Sequence, residues 1–194
     1  MDRNGGDFVE VKLDRVQLYL DWLKTKIFLD HQSDNAARRK VNRGNVYRCY
    51  FGRGIGSEEE KERPCVVLQG FEGNMKSPNT IVAPITHTSS TLGVVVPINT
   101  RYNQDGSILL DGNILLGNIV AVSKARLGDY IATLTTSEMK LVDIAMAKSL
   151  DIWKNWVTYE NIIKDKDIYI GKLIGQRENL QRQIDELINS KREN

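Results

Sequence analysis

Apolar and polar positions follow three different rhythms along the chain, and the rhythm changes near residues 42 and 154. In the first stretch Val9, Leu13, Val16, Leu20, Leu23 and Ile27 recur in steps of four and three, which stacks their side chains on one stripe of a helix. A helix over residues 8–29 is predicted. Tyr19, Trp22 and Leu29 widen the stripe, while Asp14, Arg15, Asp21, Lys24 and Lys26 fill the remainder, so one broad face is expected to pack against other structure. Residues 30–42, with Ser33, Asp34, Asn35 and the basic trio Arg38, Arg39 and Lys40, read as a solvated linker; an RNA-contacting patch is the alternative for the trio.

Between residues 43 and 153 the period shortens. Val46-Tyr47, Cys65–Leu68, Thr80–Ala83, Val94–Val96, Ile108–Leu110 and a run from Ile114 to Val122 are β-rich and punctuated by Gly, Pro, Asn and Asp. Short strands without long helices between them argue for a small antiparallel SH3-like barrel or a half-open sheet. Thr136-Ser137-Glu138 then opens a helix with Met139, Val142, Ala145, Met146 and Leu150 on one face, so the fold class is α+β. In the last stretch Ile170, Leu173, Leu180, Ile184 and Leu187 fall near heptad spacing, with Arg177 interrupting one seam position, which predicts one long helix or a broken pair. The chain therefore divides into residues 1–42, 43–153 and 154–194, a core with N- and C-terminal helical flanks.

Composition narrows the function classes. With 27 Lys and Arg against 25 Asp and Glu, the 194-residue chain carries a formal +2, without the basic footprint usual for duplex nucleic-acid binders. Two cysteines, Cys49 and Cys65, and two histidines, His31 and His87, are too few for a disulfide framework or a soft-ligand metal centre. The polar start and the lack of an apolar run near the roughly 20 residues that span a bilayer point to a cytoplasmic protein with no membrane partner.

No P-loop, HExxH, GxSxG or dinucleotide fingerprint occurs. The informative region is residues 43–86. A loop of Gly52, Arg53, Gly54, Ile55, Gly56 and Ser57 leads into the acidic run Glu58–Glu62 and then Arg63-Pro64, which opens a strand. This loop reads as a surface hairpin, with a phosphate cradle as the alternative. Arg63 offers a guanidinium suited to meeting a phosphate bidentately, and Thr86 closes the run Ile81–Ile85 just before His87 and a Thr/Ser-rich loop.

The order and spacing of these pieces resemble the MazF/PemK family of toxin endoribonucleases. Arg43-Gly44-Asn45-Val46 is similar to the family's opening strand, with Asn45 replacing an acid. Gly56-Ser57-Glu58, then Arg63-Pro64-Cys65-Val66-Val67, then Gly73-Asn74, Ser77-Pro78 and Ile81–Thr86 resemble its following loops and strands, and Lys124-Ala125-Arg126-Leu127 its Lys-x-Arg-Leu. The resemblance implies a PemK-like barrel that cuts single-stranded RNA at a short sequence, leaving a 2′,3′-cyclic phosphate and a 5′-hydroxyl, with no metal or cofactor. It places Arg63 and Thr86 at the catalytic positions. Around them Ser57, Asn74, Lys76, Ser77, His87 and Asn118 are candidates for RNA contact, His87 also for proton transfer. Gly117 and Asn118 replace a Glu-Gln or Ala-Gln pair, and Val120 stands where many relatives carry a basic residue, which implies an altered sequence preference.

The resemblance also implies a homodimer and a cognate antitoxin, expected to be a protein whose acidic segment occupies the RNA groove. Alternatives are a CcdB-like toxin that poisons DNA gyrase by binding, a ribonuclease of the same fold held by an RNA antitoxin, or a catalytically silent RNA-binding module. The two flanking helices are expected to pack on each other through their stripes, extending the dimer or shielding the groove.

Overall fold

Gly44 starts the sheet because it adopts φ +84°, a left-handed conformation that favours glycine. From there its N–H donates to the Val67 carbonyl (2.8 Å) and its carbonyl accepts from Leu134 N–H (2.9 Å), tying three segments at one point. The preceding Arg43 donates to the Leu68 carbonyl and pairs with Asp143, so the Arg-Gly opening is a structural clamp. The computed structural model describes residues 12–87 and 91–192. It forms two units, residues 1–149 and 150–194.

In the first unit β1 (Asn45–Gly52), β2 (Lys61–Val67), the short helix α3 (Phe71–Lys76) and β3 (Asn79–Thr86) follow the helices α1 (Leu13–His31) and α2 (Ser33–Ala37). After them come β4 (Val95–Pro97), β5 (Arg101–Tyr102), β6 (Ile108–Leu110), β7 (Asn113–Leu115), β8 (Val120–Ser123), a 3₁₀ turn (Lys124–Arg126), β9 (Leu127–Thr133) and α4 (Thr136–Ser149). Here α1–α4 and β1–β9 number these elements in chain order. The main sheet is antiparallel in the order β4-β7-β3-β2-β1-β9, with β8 also pairing β3, and β5 and β6 form a separate ribbon. β3 serves two partners on one edge: residues 79–82 face β8, and residues 85–86 face β7. That fork bends the sheet, and among the described residues its path ends at β4 and β9, so the half-open form is adopted rather than a closed ring.

Alternation along the strands builds a core on each side of the sheet. Val46, Val66, Leu68, Ala83, Ile85 and Leu116 pack with Val142 and Ala145 of α4. On the other side Tyr47, Cys49, Cys65, Val67, Val82 and Leu127 pack with Val41. Fully burying a Val or Leu is worth about 1.5–3 kcal/mol, so these two clusters hold the sheet. Cys49 and Cys65 are free and buried, and their mutual hydrogen bond, together with burial, pushes the Cys65 thiol up.

Several expected elements differ. The first helix begins at Leu13 among the described residues; Phe8 and Val9 lie outside them. Its expected stripe does not become a buried face: Leu13, Leu20, Leu23 and Ile27 are exposed, and Trp22 makes the contact with the sheet instead. The expected linker contains α2, and Arg39 is not a solvated linker charge: its guanidinium donates to the carbonyls of Leu127 and Gly128 and lies over the Tyr47 ring. The expected run 114–122 breaks into β7 and β8 at a turn through Gly117 and Asn118, because each half pairs with a different end of β3. The cap of α4 is Thr135, one residue before the expected position: its Oγ1 accepts from Glu138 N–H (3.2 Å) while Glu138 accepts from Thr135 N–H (2.7 Å), a reciprocal capping box.

The second unit holds α5 (Trp153–Arg192), a continuous helix of 40 residues, so the single long helix is the form taken. Asp151, at φ +54°, precedes it, and Trp153 and Trp156 stack with centroids 6.2 Å apart. Among the described helices none is long and apolar enough to cross a membrane.

Candidate active site

Arg63 and Thr86 stand at adjacent ends of the neighbouring strands β2 and β3. β2 and β3 pair antiparallel with Cys65 opposite Pro84 and Val67 opposite Val82. The pairing ends at Cys65 and Pro84; Arg63 and Thr86 each lie two residues further along their strands, and since side chains alternate every second residue, both belong to the face that carries Cys65 and Val82. Arg63 is half-buried, and Thr86 is 9% exposed at the end of β3. Gly112 keeps that end closed: at φ +109° it sits so near that an added Cβ would come within 2.6 Å of the Thr86 carbonyl oxygen.

The loop between β1 and β2 is organised by its own charges. Arg53 donates to Glu60 (2.8 Å), and that hydrogen bond holds the Glu60 carboxyl below the usual carboxylate range. Ile55 N–H donates to Glu58 (2.9 Å). Arg63 Nε lies 3.1 Å from both the Glu60 carbonyl oxygen and Glu59 Oε2. The other oxygen of Glu59 accepts from Asn118 Nδ2 at 3.3 Å. One carboxylate thus bridges Arg63 on β2 and Asn118 in the β7–β8 turn. A cleft of about 770 Å³ runs beside it along β8, lined among others by Phe51, Ser57, Glu59, Asn118, Val120 and Arg126.

At the far side of Thr86, His87 is exposed and its Nε2 lies 2.7 Å from Asp111 Oδ1, so this nitrogen carries the proton donated to the carboxylate. Ser57 and Asn118 line the cleft. Lys76 and Ser77 precede the opposite end of β3, and at about 3.3 Å per residue Asn79 is already about 23 Å from Thr86 along the strand, so they are not brought to Arg63. Asn74 is corrected to a structural role: it is 1% exposed and its amide is spent on the Gln69 carbonyl (2.7 Å) and Thr80 Oγ1 (2.8 Å). A buried amide with both ends satisfied has nothing to offer RNA. Lys124 and Leu127 of the Lys-x-Arg-Leu run are likewise internal, while Arg126 lines the cleft. Lys124 Nζ donates to the Asn74 carbonyl (2.5 Å), its burial lowers the pKa, and Leu127 is in the core.

Asp111 escaped the sequence reading, in which Glu59 figured only within the acidic run and Trp22 only as part of the first helix's stripe. Glu59 stood inside a run of like charges, although its place four residues before Arg63 was a usable signal; Asp111 and Trp22 reach their partners only through long-range folding.

The family of PemK-like, MazF-like toxins of type II toxin–antitoxin systems matches residues 42–150. The chain belongs to that family. Endoribonuclease EndoA of Bacillus subtilis is 38% identical to it over 113 residues, 57% of this chain and 94% of EndoA. A crystal structure of MazF from Deinococcus radiodurans is 16% identical with a TM-score of 0.51, covering 58% of this chain and 98% of its own, a likeness of fold. An endoribonuclease from a mycobacterial species, solved with its cognate antitoxin, is 25% identical with a TM-score of 0.49, over 58% of this chain and 96% of its own. In this MazF-like toxin, α1 and α5 lie outside the matched residues.

Proposed function

We propose that the protein is a toxin endoribonuclease that cuts single-stranded RNA without a metal or cofactor. What supports this reading is that Arg63 and Thr86 lie two residues beyond the last β2–β3 pair on the same face, together with the 38% identity to a protein named an endoribonuclease. The 2′-oxygen of a ribose attacks the adjacent phosphorus as its proton leaves to a base, and the bond to the 5′-oxygen breaks as that oxygen takes a proton. The products are a 2′,3′-cyclic phosphate and a 5′-hydroxyl. The Arg63 guanidinium offsets the extra charge on the phosphoryl oxygens, and Thr86 Oγ1 donates a hydrogen bond to one of them. His87, steadied by Asp111, is the proton-transfer candidate in this arrangement. Ser57 and Asn118 on the cleft contact the RNA, and Lys76 and Ser77 lie outside this reaction centre.

The same reading makes the protein a cytoplasmic homodimer held in check by a protein antitoxin whose acidic segment competes with RNA for Arg63. A gyrase-poisoning role is not favoured, because EndoA, the relative matched over nearly its whole length, is named for RNA cleavage. The test is incubation of the protein with a long single-stranded RNA in EDTA, beside Arg63→Ala and Thr86→Ala. Cleavage by the parent with losses of 10²-fold or more in each variant is expected. Intact RNA, or variants that cut like the parent, would overturn the mechanism.

A further inference from the structure

The seam of α5 carries a pattern for which barrel chemistry has no use. In heptad phase Trp156, Ile163, Ile170 and Ile184 share one position, with Arg177 as its interruption. Tyr159, Leu173, Leu180 and Leu187 share the other, with Lys166 as its interruption. These eight apolar side chains are between 44% and 66% exposed. The repeat spans residues 156–187, more than four heptads, where roughly three to four suffice to mark a coiled coil. We propose that α5 pairs with α5 of a second copy of this chain as a parallel, two-stranded coiled coil.

The residue choice selects this occupant. β-branched Ile at the first seam position with Leu at the second favours two parallel strands over larger bundles. Charge agrees with that direction: in a parallel pair the position after the second seam residue flanks the opposite helix, so Asp167 of one copy meets the buried end of Lys166 of the other. Gln176, at the position before the first seam residue, flanks Arg177 of the opposite helix and can accept from it. The area is sufficient as well. Eight seam side chains per helix at roughly 80 Å² each remove about 1,300 Å² from water, within the range of about 1,200–2,000 Å² of specific interfaces. Among the described helices the other exposed apolar stripe belongs to α1, whose 19 residues are too short to cover this seam.

The proposal rests on α5 alone and stands apart from the ribonuclease reading. Its test uses the full chain with Ile184→Cys, oxidised mildly by copper-phenanthroline and oxygen, which removes two electrons and two protons from a pair of thiols. Cys49 and Cys65 are fully buried and stay silent. A disulfide-linked dimer is expected at least tenfold more abundant than with Arg182→Cys, on the outer face of the same turn. Adding Leu173→Asp and Leu180→Asp to Ile184→Cys should abolish the link while RNA cleavage continues. Absent linking at residue 184, as an antiparallel pair or coverage by α1 would produce, overturns the proposal. So does equal linking at 182 and 184, or linking that survives the two aspartates.

Discussion

Glu59 Oε2 lies 3.1 Å from Arg63 Nε, and Glu59 Oε1 takes a hydrogen bond from Asn118 at 3.3 Å. A carboxylate therefore occupies the guanidinium face that the proposed chemistry offers to phosphate, and it does so from a loop anchored by the Arg53–Glu60 pair. RNA has to displace it. Arg63 is about one-third exposed, so the pair is worth at most about 1 kcal/mol. Glu59→Gln is expected to lower KM for RNA about two- to fivefold at low salt with kcat little changed, the gain shrinking as salt screens the site. Steady-state cleavage of a short RNA at two ionic strengths measures this. A fall in kcat would instead give Glu59 a part in the proton transfer.

The second charge cluster belongs to stability. Glu138 is 4% exposed and accepts from Thr135 N–H and Oγ1, from Asn99 N–H at 3.2 Å and from Arg101 at 2.7 Å. Burial pushes its carboxyl up, but the Thr135 hydrogen bonds, Asn99 and Arg101 outweigh burial and hold it below its ordinary value. A depressed carboxyl contributes stability above its unfolded pKa of about 4.3, and that contribution is lost as pH falls through the folded value beneath it. Glu138→Gln should cost about 1.5–3 kcal/mol at pH 7. Below about pH 4.3 the gap to the parent should narrow, as thermal melts across pH 3–7 would register.

The contrast between these clusters explains what the sequence discloses. Arg63 and Thr86 were singled out through the resemblance to the MazF/PemK family; taken alone, an Arg at a strand start and a Thr at a strand end read as ordinary structural positions. The α+β class and the heptad spacing of α5 were legible in apolar periodicity, which left open whether that helix is broken. Asn74 was misread because a polar residue in a Gly-rich loop looks exposed until α3 turns it inward onto Thr80. β9 gave no signal, since Gly128, Asp129 and Tyr130 interrupt its alternation and its pairing to β1 slips register twice. Arg39 and Lys124 look like surface charge in sequence, yet backbone carbonyls brought by distant segments receive them.

Trp22 shows how the helix outside the family match reaches the site. Gly52, the last residue of β1 before the charged loop, has φ +93°, and a Cβ there would overlap the Trp22 ring of α1. The Arg126 guanidinium lies 5.2 Å from the centre of the same ring and donates to the Phe51 carbonyl at 3.0 Å, so ring, glycine and cation fix the point where the loop begins. Gly52→Ala adds both the collision and a left-handed strain of order 1–3 kcal/mol. Removing the ring removes the collision and leaves the strain. Trp22→Ala should therefore soften the effect of Gly52→Ala, with a coupling of about 0.5–3 kcal/mol in a double-mutant cycle read by denaturant unfolding. Purely additive effects would mean that α1 is not seated on Gly52 in solution. Trp22→Ala should also speed proteolysis within residues 53–60, because the loop then loses the packing that sets its first residue.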